Sequence, residues 1–138
     1  MDHDVVVVGA GPVGARLATV LAERGVDVLL MEEHASIGRP FQCAGLVNPW
    51  SMAQVGLEHT VLQEIDGATI HGPHHASVSV GVPGETRTSA VCRNRFDEGV
   101  AAQAIHAGSK LMPSTTATGL LPIEGRGWRV HHHHEGTT

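Results

Sequence analysis

Four consecutive β-branched residues, Val5-Val6-Val7-Val8, run directly into Gly9-Ala10-Gly11-Pro12-Val13-Gly14. A continuous apolar run of this kind suits a strand covered on both faces, as in a parallel sheet. A helical pattern follows at once, with Val13, Leu17, Val20 and Leu21 on one face, Arg24 in its last turn and Gly25 just past its end. A second apolar run, Val26 to Met31, broken only by Asp27, ends in Glu32. Strand, glycine turn, helix and strand together predict a βαβ unit over residues 1–33.

Each glycine of the G-x-G-x-x-G turn has a physical task. Gly9 permits the tight turn. Gly11 lets backbone approach a pyrophosphate with no Cβ in the way, and Gly14 allows close helix–strand packing. The helix start, Gly11-Pro12-Val13, offers N–H groups and a positive dipole end to phosphates. Glu32 closes the next strand, where its carboxylate can accept hydrogen bonds from an adenosine ribose. Glu33 and His34 follow, and no arginine occurs before Arg39, which disfavours a 2′-phosphate there. NAD and FAD both remain open on this evidence.

The rest of the chain is less regular. Residues 34–66 predict a long loop carrying Pro40, Cys43, Gly45 and Pro49, then a weak helix over 51–65 with Leu57, Val61, Leu62 and Ile65 on one face. Residues 67–93 alternate and predict an antiparallel excursion of two or three strands, with a turn at Val82–Glu85 and another at His74-His75. Residues 94–131 predict a helix over 95–107, capped by Asn94, with Phe96, Val100 and Ala104 inward, then short strands near 109–112, 116–121 and 128–131. The fold class is therefore α/β: a Rossmann-like nucleotide-binding region with a small antiparallel β excursion.

Composition excludes several classes. The 138 residues carry a net charge of −5 and only 3% aromatics, which gives neither the basic field nor the stacking platforms of nucleic-acid binders. No run of about 18 apolar residues codes for a membrane span. Met1-Asp2-His3-Asp4 is acidic, unlike a secretory leader, and two cysteines do not make a disulfide scaffold, so the expected setting is cytoplasmic. Of the 11 histidines, His131 to His134 form the densest cluster. It reads as a solvent-facing strand end or turn. Part of a purification tag and adventitious transition-metal affinity are the other readings, and no dedicated metal site is expected.

Three segments together resemble one flavoprotein family. They are Asp4 to Gly14, with Pro12 in the turn; Ile37-Gly38-Arg39-Pro40-Phe41-Gln42-Cys43-Ala44-Gly45-Leu46-Val47; and Arg93-Asn94-Arg95-Phe96-Asp97. The chain resembles the geranylgeranyl reductase family of FAD-dependent oxidoreductases, and its archaeal digeranylgeranylglycerolipid reductases in particular. Ile37, Gly38, Pro40, Cys43 and Gly45 match that family's I-G-x-P-x-x-C-x-G stretch. The resemblance implies FAD as cofactor. It implies that Gly9, Ala10, Gly11, Pro12, Val13 and Gly14 hold the pyrophosphate and Glu32 the ribose. Glu33 stands where the family commonly has a basic residue, within the adenosine contacts.

It further implies that Cys43, Ala44 and Gly45 lie beside the flavin, that Arg93 reaches the flavin side near the phosphates, and that Ala117 meets the adenine. Cys43 is the candidate catalytic residue, as a reactive thiol near the flavin, with proximity favoured over nucleophilic chemistry; a small apolar residue in a packed loop is the other reading. The implied partners are an isoprenoid lipid substrate and an external electron donor, a reduced nicotinamide or ferredoxin, with a peripheral membrane contact in the full-length enzyme. Phe41 and Trp50 are weak candidates for a lipid entrance. The chain contains no Gly-Asp dipeptide, which such enzymes use downstream for the ribityl and phosphate groups. It therefore reads as a partial FAD-binding domain, the N-terminal third of an enzyme, with weak FAD binding of its own. An FAD-dependent aromatic monooxygenase and a non-catalytic nucleotide-binding fragment are the alternative functions.

Overall fold

In the computed structural model, residues 2–41, 43–125 and 127–135 are described; Gln42 of the cysteine loop and residues 136–138 lie outside them. The elements in chain order are β1 (Val5–Val8), α1 (Pro12–Ala22), β2 (Val28–Met31), β3 (Leu46–Val47), α2 (Pro49–Val55), β4 (Val61–Ile65), β5 (Gly67–His71), β6 (Ser77–Gly81), β7 (Thr88–Val91), α3 (Arg93–His106), β8 (Lys110–Met112), β9 (Thr115–Ile123) and β10 (Gly127–His134). Single 3₁₀ turns lie at Glu58–Thr60 and Pro73–His75. The chain divides into two compact units, residues 1–40 with 97–138, and residues 41–96.

The first unit is built on a parallel sheet of order β1-β2-β8. Val5 to Val8 pair with Val28 to Met31, and Leu29 to Met31 pair with Lys110 to Met112. Lying between two neighbours, β2 is buried at every residue, as its unbroken apolar run requires. β1 has one paired neighbour, and Val8 is exposed, so its run is not covered on both faces as expected. The amino ends of the strands are tied by polar contacts. Asp4 Oδ2 accepts from the Asp27 amide, and the Asp27 carboxylate meets the His3 ring at 2.9 Å and Lys110 Nζ at 3.2 Å.

Helix α1 presents a different face to the sheet from the expected one. Ala15, Ala18 and Thr19 are buried, whereas Val13 is 85% exposed and Leu17 about half exposed. The reason is local. A Cβ at Gly14 would collide with the Gly9 carbonyl oxygen and sit 3.3 Å from Val7 Cγ1. The helix is drawn onto the strand at Gly14, and the stripe that continues from that contact runs through Ala15, Ala18 and Thr19. Small residues there let the axis approach. Ser109 Oγ donates to the Ala18 carbonyl at 3.1 Å, joining the α1 face to the entry of β8. Phe96, Val100 and Ala104 of α3 are buried as expected. That helix begins at Arg93, with the Phe96 amide donating to the Cys92 carbonyl, so Asn94 lies inside the first turn and is not its cap.

Antiparallel β9 and β10 pair from Ile123–Gly127 to Thr115–His134. The terminal strand, expected over 128–131, has β9 beside it and runs longer. His131 to His134 lie on it exposed, with a register shift between His131 and His132. Among the described residues no group of three or more His, Cys, Asp or Glu is arranged to hold a metal ion.

The second unit corrects the helix expected over 51–65. Helix α2 stops at Val55, because Gly56 takes the left-handed conformation and its N–H closes onto the Met52 carbonyl. Val61 to Ile65 are instead strand β4, pairing with β7 in a sheet of order β3-β7-β4. A stretch with β-branched ends beyond a left-handed glycine is drawn into a strand once a partner edge is available. Residues 67–93 do form an antiparallel excursion. β5 and β6 make a hairpin in which Ala68 faces Val80 and Ile70 faces Val78, and the Glu85 amide closes the expected turn onto Val82. Cys92 is half-buried and Cys43 exposed, and both are free thiols.

Replacing Leu30 by Ala, in the fully buried strand β2, should destabilise the chain by about 2–5 kcal/mol in a urea titration. Val13→Ala should change stability by only about 0.5 kcal/mol in either direction.

Candidate dinucleotide site

The glycine turn leaves β1 as the Gly9 amide donates to the Met31 carbonyl at 2.8 Å. Gly9 then takes φ +97°, open to glycine and strained for any side chain. Gly11 is the N-cap of α1 in extended conformation, and it offers no side-chain cap to the first-turn amides. Pro12 stands at N1, where its missing N–H costs nothing. These three glycines are needed for different reasons. Gly9 is required by its dihedral, and Gly14 by the Gly9 carbonyl. A Cβ on Gly11 would meet no protein atom within 4 Å. Nothing inside the chain demands glycine at Gly11, so the open ground above it, at the positive end of α1, fits an anionic group that must approach closely.

Glu32 stands beside this cradle. Its Oε2 accepts from the Ala10 amide at 2.8 Å, so the carboxylate clasps the turn itself. Oε1 accepts from the His34 amide at 3.0 Å and meets the His34 ring Nδ1 at 2.7 Å. Partial burial works against the charged carboxyl, but the His34 and Ala10 amides and the His34 ring outweigh it. Glu32 is therefore held below the ordinary glutamate range. The backbone is pinned too: Glu32 N–H donates to the Met112 carbonyl at 2.9 Å, and Thr115 N–H to the Glu32 carbonyl at 2.7 Å.

Of the residues implied by the resemblance, Gly9, Ala10, Gly11, Pro12, Val13, Gly14 and Glu32 are brought together here. Glu33 is exposed. Ala117 lies in β9, half-buried and paired with His132. In the second unit, Cys43 and Ala44 are exposed while Gly45 is buried. The Gly45 carbonyl accepts from the Val91 amide at 2.8 Å, and a Cβ on Gly45 would sit 3.1 Å from Arg93 Cγ. That unit thus sets Gly45 against the stem of Arg93. Phe41 and Trp50 are exposed. The residue that sequence reasoning passed over is His34. Its signal was an imidazole two positions beyond the strand-closing acid, weighed only as not being an arginine.

A parallel sheet entering a helix through this turn, with a carboxylate at the end of the second strand, defines a dinucleotide-binding α/β protein. Comparison with known proteins narrows the class. The family model described as FAD binding domain matches residues 2–133, and the chain belongs to that family, with FAD as its cofactor. It is 34% identical over 123 residues to a digeranylgeranylglycerophospholipid reductase of Methanosarcina acetivorans, covering 86% of this chain and 30% of that protein. A second such reductase, from Methanopyrus kandleri, is 36% identical over 129 residues, covering 91% of this chain and 32% of its own length. An uncharacterized protein of Methanosarcina barkeri is 36% identical over 137 residues, covering 90% of this chain and 70% of that protein. The chain spans about a third of the length of the two reductases. Among solved structures, a geranylgeranyl bacteriochlorophyll reductase-like protein of Thermoplasma acidophilum superimposes with a TM-score of 0.86 at 26% identity, covering 96% of this chain and 35% of that one.

Two outcomes follow from the geometry. Gly11→Ala should leave the urea midpoint nearly unchanged, within about 0.5 kcal/mol, whereas Gly14→Ala should destabilise by roughly 1–3 kcal/mol through its clash with Gly9. A carboxyl held low in the folded state contributes stability that is complete above the ordinary glutamate pKa of about 4.3 and is lost as pH falls through the folded value. The stability difference between the parent chain and Glu32→Gln should therefore be constant from about pH 5 to 7 and shrink below about pH 4 in parallel denaturation curves.

Proposed function

We propose that this chain is the FAD-binding part of a flavin-dependent reductase acting on isoprenoid carbon–carbon double bonds of membrane-lipid precursors. The observation that carries the substrate class is the 31–36% identity to several proteins named digeranylgeranylglycerophospholipid reductase. The glycine turn and Glu32 supply the cofactor half of the reading. On it, the first-turn amides of α1 and the bare surface of Gly11 bind the pyrophosphate, and Glu32 with Ala10 sets the ribose end. The resemblance assigns Cys43, Ala44, Gly45 and Arg93 to the flavin side, Ala117 to the adenine and Glu33 to the adenosine contacts. A guanidinium at Arg93 suits phosphate charge.

FAD, when bound, supplies the hydride chemistry; the protein binds, orients and shields it. Cys43 is assigned to proximity with the flavin and not to nucleophilic attack. The electron donor is external to the chain, a reduced nicotinamide or ferredoxin. Among the described residues no helix is long and apolar enough to cross a membrane. On this reading a lipid substrate implies contact at a membrane surface.

Two experiments test this reading. Titration with FAD, followed by flavin fluorescence, should show binding that Gly11→Val weakens at least about tenfold, since a branched side chain would occupy the pyrophosphate ground. An affinity unchanged in that variant overturns the cofactor assignment. The gene's full translation product, given FAD, a chemical reductant and an unsaturated isoprenoid lipid, should yield the saturated lipid by mass spectrometry. Oxygen-dependent hydroxylation in its place would establish a monooxygenase.

A further inference from the structure

The Glu32 carboxylate is nearly saturated before any ligand arrives. A carboxylate offers about four in-plane acceptor sites, two on each oxygen. Oε1 takes the His34 amide and the His34 ring nitrogen, and Oε2 takes the Ala10 amide. One site remains, on Oε2. An adenosine ribose presents two hydroxyls, and a carboxylate in this position ordinarily serves both. Here it can serve one.

The acceptor for the other hydroxyl is already attached to the carboxylate. A ring nitrogen 2.7 Å from a carboxylate oxygen carries its hydrogen toward it, so Nδ1–H of His34 donates to Glu32. In the neutral ring that tautomer leaves Nε2 as a bare acceptor. Nε2 makes no hydrogen bond among the described residues, and the His34 side chain is 41% exposed. The ring is held by its bond to Glu32, and the backbone that carries it is tied down. Ser114 N–H donates to the His34 carbonyl at 3.1 Å, and Glu32 on the same strand end is tied to Met112 and Thr115.

We infer that His34 is a cofactor-binding residue: it completes the ribose-diol site with Glu32, one ribose hydroxyl donating to Glu32 Oε2 and the other to His34 Nε2. The inference rests on the reading of Glu32 as the ribose acid. It also specifies the ligand. Two acceptors side by side accept a diol and repel a ribose phosphate, so the site takes the unphosphorylated adenosine half of FAD.

The test is a thermodynamic cycle between the side chain and the ribose hydroxyls, using ADP, 2′-deoxy-ADP and 3′-deoxy-ADP as probes in equilibrium titrations of the 138-residue chain. The parent chain should prefer ADP over each deoxy analogue by roughly five- to tenfold, the value of one hydrogen bond. His34→Ala should abolish the preference for one hydroxyl and keep the other. His34→Asn carries an amide donor that can still hold Oε1, while its amide oxygen falls at the ring Cδ2 position, short of Nε2, so it should lose the same preference. Both preferences intact in either variant would overturn the inference, as would full recovery in His34→Asn, which would mean that His34 acts only by positioning Glu32. Should His34→Ala not fold, His34→Asn alone decides. A parent chain that binds ADP no better than Gly11→Val does would overturn the dinucleotide assignment on which the ribose-acid reading rests, a result distinct from lost discrimination in a chain that binds.

Discussion

The close approach of α1 to β1 at Gly14 organises the first unit. With no Cβ at that position, the helix start lies against the Gly9 carbonyl and Val7. Everything nearby follows from this contact. It sets which stripe of α1 is buried, namely the small residues Ala15, Ala18 and Thr19. It aims the first-turn amides over the turn, where Gly11 leaves the surface bare. It also holds Ala10 at the distance where its amide reaches Glu32 on the neighbouring strand. A methyl group at Gly14 would shift backbone against backbone, which close-packed interiors tolerate poorly.

The polar contacts of this unit divide between the two ends of the parallel strands. At the carboxyl ends, Glu32 joins the glycine turn to His34, with His34 in turn bonded to Ser114. At the amino ends, His3, Asp4, Asp27 and Lys110 join the same three strands. Lys110 beside Asp27 holds that carboxyl below its usual range, with His3 acting in the same direction. The Lys110–Asp27 pair is exposed to water and contributes little, whereas the His3 side chain beside Asp27 is buried. The buried strand β2 between β1 and β8 is where the stabilising apolar area lies. The ligand end can therefore be specialised for binding while the core bears the stability.

Much of the site was legible in local patterns. The Val5–Val8 run, the three glycines and Glu32 form one contiguous signal, because strand, turn and helix start are set by neighbours along the chain. The inward stripe Phe96, Val100 and Ala104 was legible for the same reason: helical period is local. One expectation failed where a distant partner decided the outcome, and two where local geometry outweighed residue type. Val61 to Ile65 have apolar residues spaced for a weak helix, but β7 offers an edge, and the segment pairs with it. Asn94 looks like a cap by residue type, but Cys92 accepts the first helical hydrogen bond. Val13 and Leu17 look like the packed face of α1 by hydropathy, and a steric contact one turn away turns them outward.

By itself the sequence determined the βαβ unit, the α/β class and an acidic residue at the end of the second strand. Dihedral restrictions, β-branching and helix period act within a few residues, and no tertiary information is needed to read them. Tertiary structure alone decided how the acidic residue is employed. Glu32 binds the turn through Ala10 and the chain beyond through His34, so its acceptor sites are mostly occupied within the protein. It also decided which strands pair, since a strand satisfies its backbone only on a neighbour remote in sequence. Hydrogen-bond saturation of one carboxylate depends on two segments, the glycine turn and residues 32–34, meeting in space. No spacing along the chain encodes it.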